Sequence, residues 1–222
     1  MLDLGCGIGD QAAELVARGA RVIGIDRNEE LLEAARSRGL RNAEFRLGDL
    51  RASSRHDVVA DGIWCSFVAA YVPNFGEVLR SWRELIRPGG WIVLTEVDDL
   101  FAHEPMDAET KMLLNAYQES ALAADRYDFR MGRTLQSHLE AAGFRVTTNL
   151  ALQDRELAFD GPADTEVLDA WAARLARMNT LREFCGARFD HVRNELLGAL
   201  EHPQHSSKAV VCCCVAITSD AT

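Results

Sequence analysis

The first hundred residues constrain the fold most, because short apolar runs alternate there with helix-like segments. "MLDLG" is a short apolar strand. "DQAAELVARGA" puts Ala12, Leu15 and Val16 on one helical face, with Gly19 as its stop. "RVIGID" is a second strand. In "NEELLEAARSRG", Asn28 suits the cap, Glu29 and Glu30 favour the positive end of the helix dipole, and Gly39 closes the helix. "AEFRL" is a third strand, and "DVVADGIWCSF" contains a fourth. "FGEVLRSWRELIR" is a helix with Val78, Trp82 and Leu85 on one face, stopped by Pro88-Gly89-Gly90, and "WIVLTEV" is a fifth strand. Such alternation predicts an α/β fold: a doubly wound, mostly parallel sheet with helices on both faces. The strands are apolar throughout, as expected where both faces are covered.

Beyond residue 100 the alternation is interrupted twice. "DAETKMLLNAYQESALAAD" reads as a helix with Met112, Leu113, Ala116, Tyr117 and Ser120 on one side, either a lid or an extra packed helix. "RTLQSHLEAAGF" resumes the fold with Leu135, Leu139 and Ala142 as its buried stripe, and "FRVTTNLAL" is a sixth strand. Residues 160–201 form a second insertion, with helices expected around Val167–Met178 and Leu181–Leu200, and "KAVVCCCVAIT" is a last, seventh strand. The expected organisation is one domain over 1–222 with helical insertions at about 100–130 and 160–201.

A chain of 222 residues can bury a sizeable core. Its net charge of −10 argues against a nucleic-acid partner, which would call for a basic excess. No apolar run approaches the roughly 20 residues that span a bilayer, and the N-terminus lacks a signal-peptide pattern, so no membrane partner and a cytoplasmic location are expected. Cys6, Cys65, Cys185, Cys212, Cys213 and Cys214 contain no C-x-x-C pair, and adjacent strand residues point to opposite faces, so no metal is expected.

The glycines Gly5, Gly7 and Gly9 follow the first strand, at the strand end where ligands bind in such sheets. A dinucleotide site wants G-x-G-x-x-G under a pyrophosphate. Here position 10 is Asp, which sits badly beside a pyrophosphate but does not trouble a ligand without phosphates.

"LDLGCGIG" closely resembles the first motif of class I S-adenosylmethionine-dependent methyltransferases, and the resemblance continues in order through "VIGID", "GDL" at 48–50 and "RPGGWIVLTEV". It covers most of 1–98, plus 131–151 and 207–218. It implies a Rossmann-like methyltransferase fold whose last strand is antiparallel, with S-adenosyl-L-methionine as cofactor. Gly5, Cys6, Gly7 and Gly9 would pass under its methionine part, and Asp26 would bind both ribose hydroxyls. Asp49 would meet the adenine amino group, with Leu50 beside the ring. Arg27 would lie over the adenine or stand solvated. Asp3 would orient the loop or reach the cofactor ammonium through water. Ser66 and Phe67 would offer a carbonyl to that ammonium and shape the acceptor pocket.

Methyl transfer is an in-line displacement at a sulfonium, so the protein mainly supplies position, and a base where the nucleophile carries a proton. His103, Glu96 and Tyr71 are the candidates on the acceptor side: His103 as a base near neutral pH, Glu96 at the end of the fifth strand, Tyr71 as a wall. Trp171, Phe184 and Phe189 either line an apolar acceptor site or pack the second insertion, and His202 and His205 read as solvated. The stretch "WCSFVAAYVPN" lacks the Pro-Pro-Tyr run of aminomethylating family members, and a small-molecule substrate is expected. The helices that the family carries before its first strand are missing here. Truncation, the 100–130 segment or a second subunit in a homodimer would each account for the cover. The competing functions are a nicotinamide-dependent oxidoreductase, and a protein that binds S-adenosylmethionine or S-adenosylhomocysteine in a non-methylating or regulatory role.

Overall fold

The computed structural model describes residues 1–51 and 58–218; Asp57, the first residue of the stretch expected to hold the fourth strand, lies outside them. In chain order the elements are β1 (Leu2–Leu4), α1 (Asp10–Ala17), β2 (Val22–Asp26), α2 (Glu29–Ser37), β3 (Ala43–Leu47), β4 (Ala60–Ser66), α3 (Phe75–Arg83), β5 (Ile86–Asp98), β6 (His103–Glu104) and α4 (Ala108–Ala123). They continue with α5 (Met131–Ala141), β7 (Arg145–Leu152), α6 (Thr165–Arg177), α7 (Asn179–Cys185), α8 (Phe189–Glu201), β8 (Ser206–Ser207) and β9 (Val210–Ile217).

Seven strands form one sheet in the order β3-β2-β1-β4-β5-β9-β7, mostly parallel with one antiparallel strand, as the sequence led us to expect. The register sets β1 at the centre: Leu2 lies opposite Ile23 of β2 and Ile63 of β4. The last strand in sequence lies between the fifth and β7.

The chain divides into two compact units. The first comprises Met1–Glu96, Arg133–Leu150 and Cys213–Thr222. In it Ala12, Leu32, Ala35 and Phe45 pack with Val22 and Cys6, so α1 and α2 close over the β1–β3 end of the sheet. Asn28 caps α2 through its side-chain oxygen, which accepts from the N–H of Glu30 and Leu31 at 3.0 and 3.3 Å.

One boundary differs from expectation. The helix α3 ends at Arg83, well before Pro88-Gly89-Gly90, and those residues lie inside β5. Pairing decides this: Ile86 is buried opposite Ala60, the next pairs are Gly62 with Trp91 and Ile63 with Ile92, and the extra residues are absorbed as a bulge. The buried helix face is Phe75, Leu79 and Trp82; Val78 is only half-buried.

The second unit comprises Val97–Gly132 and Ala151–Cys212, and so gathers both expected insertions. Its core includes Phe101, Leu114, Tyr117, Trp171, Leu181, Phe189 and Leu196. The buried face of α4 is rotated from the one expected: Thr110, Leu113, Leu114, Tyr117, Gln118 and Ala121 are buried, whereas Met112 and Ala116 are exposed. Polar residues with partners explain the rotation. Asp107 accepts from the N–H and hydroxyl of Thr110 at 2.7 and 3.0 Å, and Gln118 donates to Asp99 at 3.2 Å. The long helix expected over Leu181–Leu200 is two, α7 and α8, joined by a 3-10 turn at Gly186–Arg188. The short β6–β8 ladder, with His103 opposite Ser207, was not foreseen.

Candidate functional site

A cavity of about 380 Å³ opens in the first unit at the carboxyl ends of β1, β2 and β3. Gly5 and Gly7 form one side. The chain leaves β1 through Gly5, whose N–H donates to Ile25 O at 2.7 Å, and both glycines take positive φ angles of 74° and 51°. A Cβ on Gly7 would meet no atom within 4 Å, so the loop backbone here faces open space that a side chain would fill.

Asp26 ends β2 beside this loop. Its carboxylate accepts from Gly7 N at 2.9 Å and from Asn28 N at 2.9 Å. One acid thereby fixes both the glycine turn and the start of α2 while presenting its remaining lone pairs to the cavity. Asp26 O also accepts from Gly48 N at 2.9 Å, which brings the end of β3 against the end of β2.

Asp49 and Leu50 follow β3 and line the same cavity. The Asp49 carboxylate is held by Arg51, and the pair pushes its pKa down to about 2: the guanidinium is the main cause and the Arg51 N–H the next. Leu50 is anchored by its carbonyl, which accepts from the indole N–H of fully buried Trp82 at 2.8 Å. Arg27, Asn28 and Leu31 complete this side. Leu31 and Arg51 were not expected at the site, and Asn28 was expected only as a helix cap, although the first turn of α2 begins directly after Asp26.

Phe67, Val68, Tyr71 and Val72 form the opposite wall. Phe67 takes φ 58°, a left-handed conformation uncommon for a bulky residue, and its N–H is held by Thr95 O at 2.8 Å. Glu96 is fully buried, and Oε1 accepts from Ala70 N at 3.1 Å, so it braces the short turn over Ala69–Tyr71.

Other expected residues lie outside the cavity lining. Cys6 is buried, with its thiol pushed up to about 12 by burial and then by Asp3 and Asp26; Gly9 packs under Phe45 and Ala35. Ser66 accepts from the Trp64 indole N–H at 2.9 Å. His103 is in the second unit, 1% exposed, edge-on to Trp171 and stacked on His205, whose Nε2 is 3.0 Å from its Nδ1. Burial first, then His205, lowers its pKa to about 4. His205, expected in solvent, is buried here because Gly161 O accepts from its Nδ1 at 2.8 Å. Trp171 and Phe189 are core residues, and Phe184 is partly exposed.

Asp3 lies beneath the loop, 2% exposed, with one oxygen that has no partner among the described residues. Burial raises its pKa from 3.8 to about 7, with Asp26 adding to the rise and the Ala12 N–H opposing it. Between these values the folded state holds a proton that the unfolded state has released, so stability falls as pH rises through about 4 to 7. Asp3→Asn is expected to flatten that limb of a Tm-against-pH curve, gaining on the parent as pH rises. Parallel curves would refute the assignment.

The strand order, the glycine turn after β1 and the acid ending β2 agree with the Rossmann-like methyltransferase fold that the resemblance implied. Residues 2–94 match the family profile of a methyltransferase domain. It is 32% identical over 153 residues to an uncharacterized 37.1 kDa protein in a transposon of Streptomyces fradiae, covering 66% of this chain and 44% of that one. It is 30% identical over 107 residues to the ubiquinone biosynthesis O-methyltransferase of Leptothrix cholodnii, covering 44% of each. The chain thus spans less than half the length of these relatives. Phosphoethanolamine N-methyltransferase 2 of Haemonchus contortus, solved with S-adenosyl-L-methionine, shares the fold with a TM-score of 0.60 and 16% identity over 99% of this chain and 48% of that one. Among the described residues no helix is long and apolar enough to cross a membrane.

Proposed function

We propose that the chain binds S-adenosyl-L-methionine in the cavity beyond β1–β3 and serves transfer of its methyl group to a small-molecule acceptor. The observation that carries this reading is the Asp26 carboxylate, fixed by two backbone N–H groups at 2.9 Å beside a glycine loop that leaves open space. The residues fit the group: Asp26 would accept from a ribose diol, Asp49 and Leu50 would meet the purine, and Gly5 and Gly7 would let the backbone approach the methionine part. When bound, the cofactor supplies a methyl on a sulfonium, already activated for in-line displacement. The chain's own work is to position: Tyr71 and Phe67 wall the cavity, and Glu96 braces the turn that carries Tyr71. We assign no proton transfer to His103, which is enclosed by Trp171, Phe159 and His205.

The acidic balance and six free cysteines support a cytoplasmic enzyme acting on a small molecule rather than on nucleic acid. A homodimer is the assembly to test, by its mass in solution. Calorimetric titration with S-adenosylmethionine, S-adenosylhomocysteine and NAD is the direct test. Binding of the two adenosyl ligands without NAD is expected, followed by formation of S-adenosylhomocysteine with an acceptor among a panel of phenols, carboxylates and amines. NAD binding alone would turn the reading to an oxidoreductase. Adenosyl binding without turnover across the panel would turn it to a non-methylating role.

A further inference from the structure

The cavity contains an arginine, Arg51, that the cofactor reading does not use, and it is paired with Asp49. Arg51 turns back on Asp49, two residues before it: Nη2 lies 2.6 Å from Oδ2, Nε lies 3.0 Å from each oxygen, and the Arg51 backbone N–H donates to Oδ1 at 2.9 Å. Both side chains line the cavity and are about half exposed, 56% for Arg51 and 42% for Asp49. A carboxylate offers about four lone-pair positions. Three N–H groups of Arg51, with that on Nε shared between both oxygens, therefore compete for the acceptor capacity that a purine amino group would use. The backbone N–H is fixed by the turn, whereas the guanidinium sits on a flexible stem, so the side chain is the part that can withdraw.

Resting on the proposed cofactor, we propose that Arg51 is a specificity residue for the purine end of the ligand. Its guanidinium competes with a 6-amino group for the oxygens of Asp49, and its N–H groups offer donors to a 6-oxo group. Asp49 alone would favour a donor at that position of the ring. The Asp49–Arg51 pair presents acceptors and donors together and narrows the preference. An exposed ion pair limits the effect to about fivefold, and the competition weakens as salt screens the pair.

The test compares S-adenosylhomocysteine with S-inosylhomocysteine, its 6-oxo counterpart, by calorimetry on the parent, Arg51→Gln and Arg51→Lys. In Arg51→Gln the adenosyl ligand is expected to bind about two- to fivefold more tightly and the inosyl ligand no more tightly, so their ratio rises. Arg51→Lys keeps the charge without the planar fork and should fall between. Raising salt should tighten adenosyl binding to the parent relative to Arg51→Gln. An unchanged ratio in Arg51→Gln would overturn the proposal. So would a falling ratio with weaker adenosyl binding, which would mean that the guanidinium supports the adenine directly. If the parent binds neither nucleoside, the cofactor reading itself fails and the proposal falls with it.

Discussion

Asp26→Ala is expected to lower affinity for S-adenosylhomocysteine by roughly 100-fold or more while the sheet still folds. Hydrogen bonds to a charged partner are worth about 1.5–3 kcal/mol each, and a ribose diol offers two donors, so loss of both reaches about 3 kcal/mol. The substitution also frees Gly7 N and Asn28 N, each of which now donates to this carboxylate at 2.9 Å. The glycine loop and the first turn of α2 lose their common anchor, which adds to the affinity loss by reducing preorganisation. Stability should suffer less, because Asp26 is half-buried and its backbone pairing with Leu47 of β3 remains. The measurement is a pair: calorimetric affinity and Tm on the same preparations. Asp26→Asn sharpens it. The amide keeps the shape but presents N–H toward one of the two backbone donors, so it should bind ligand weakly too. Affinity within threefold of the parent for either variant would remove Asp26 from the site.

What was legible in the sequence follows from how local the cause is. Strand ends, glycines and capping residues act through their own backbone, so the β1 turn and the Asn28 cap could be placed from the residues themselves, while Asp26 and Asp49 were placed by the family resemblance. The mostly parallel sheet with an antiparallel last strand was legible through the strict alternation and the family resemblance. Features set by distant partners were not. Pro88-Gly89-Gly90 reads as a stop, yet the pairing of Ile86 with Ala60 and of Trp91 with Gly62 carries it into a strand. His103 and His205 are 102 residues apart and sit next to prolines or polar residues, so nothing local predicts that they stack in a core. Arg51 looks like a solvated arginine after the motif. Only its side-chain conformation shows that it grips Asp49. The buried stripe of α4 was misread because Thr110 and Gln118 are polar but bonded, and apolar periodicity does not count them.

The second large effect is expected at Gly5, where one methyl group meets two separate obstacles. Gly5 holds φ 74°, a region that costs an alanine about 1–2 kcal/mol. A Cβ there would also lie 2.3 Å from Val68 Cγ2, 2.9 Å from Cγ1 and 3.1 Å from Val68 Cβ. Rotating the valine exchanges one methyl for the other, and its Cβ is itself close, so rotation gives no relief. Either the loop or the cavity wall carrying Val68 has to move, an overpacking cost of about 1–3 kcal/mol. Gly5→Ala should therefore lose about 2–5 kcal/mol, seen as a Tm lower by roughly 5–15 °C for a chain of this size, and should bind S-adenosylhomocysteine weakly because Gly5 and Val68 both line the cavity. Val68→Ala on top of Gly5→Ala should recover the packing part but not the backbone part, giving partial rescue. Gly7→Ala supplies the contrast. Its Cβ meets no atom within 4 Å and its φ of 51° lies within the left-handed region, so it should cost only about 1 kcal/mol of stability while still obstructing the ligand. Equal Tm losses for Gly5→Ala and Gly7→Ala, without rescue by Val68→Ala, would show that backbone conformation alone sets these glycines and that Val68 does not press on the loop.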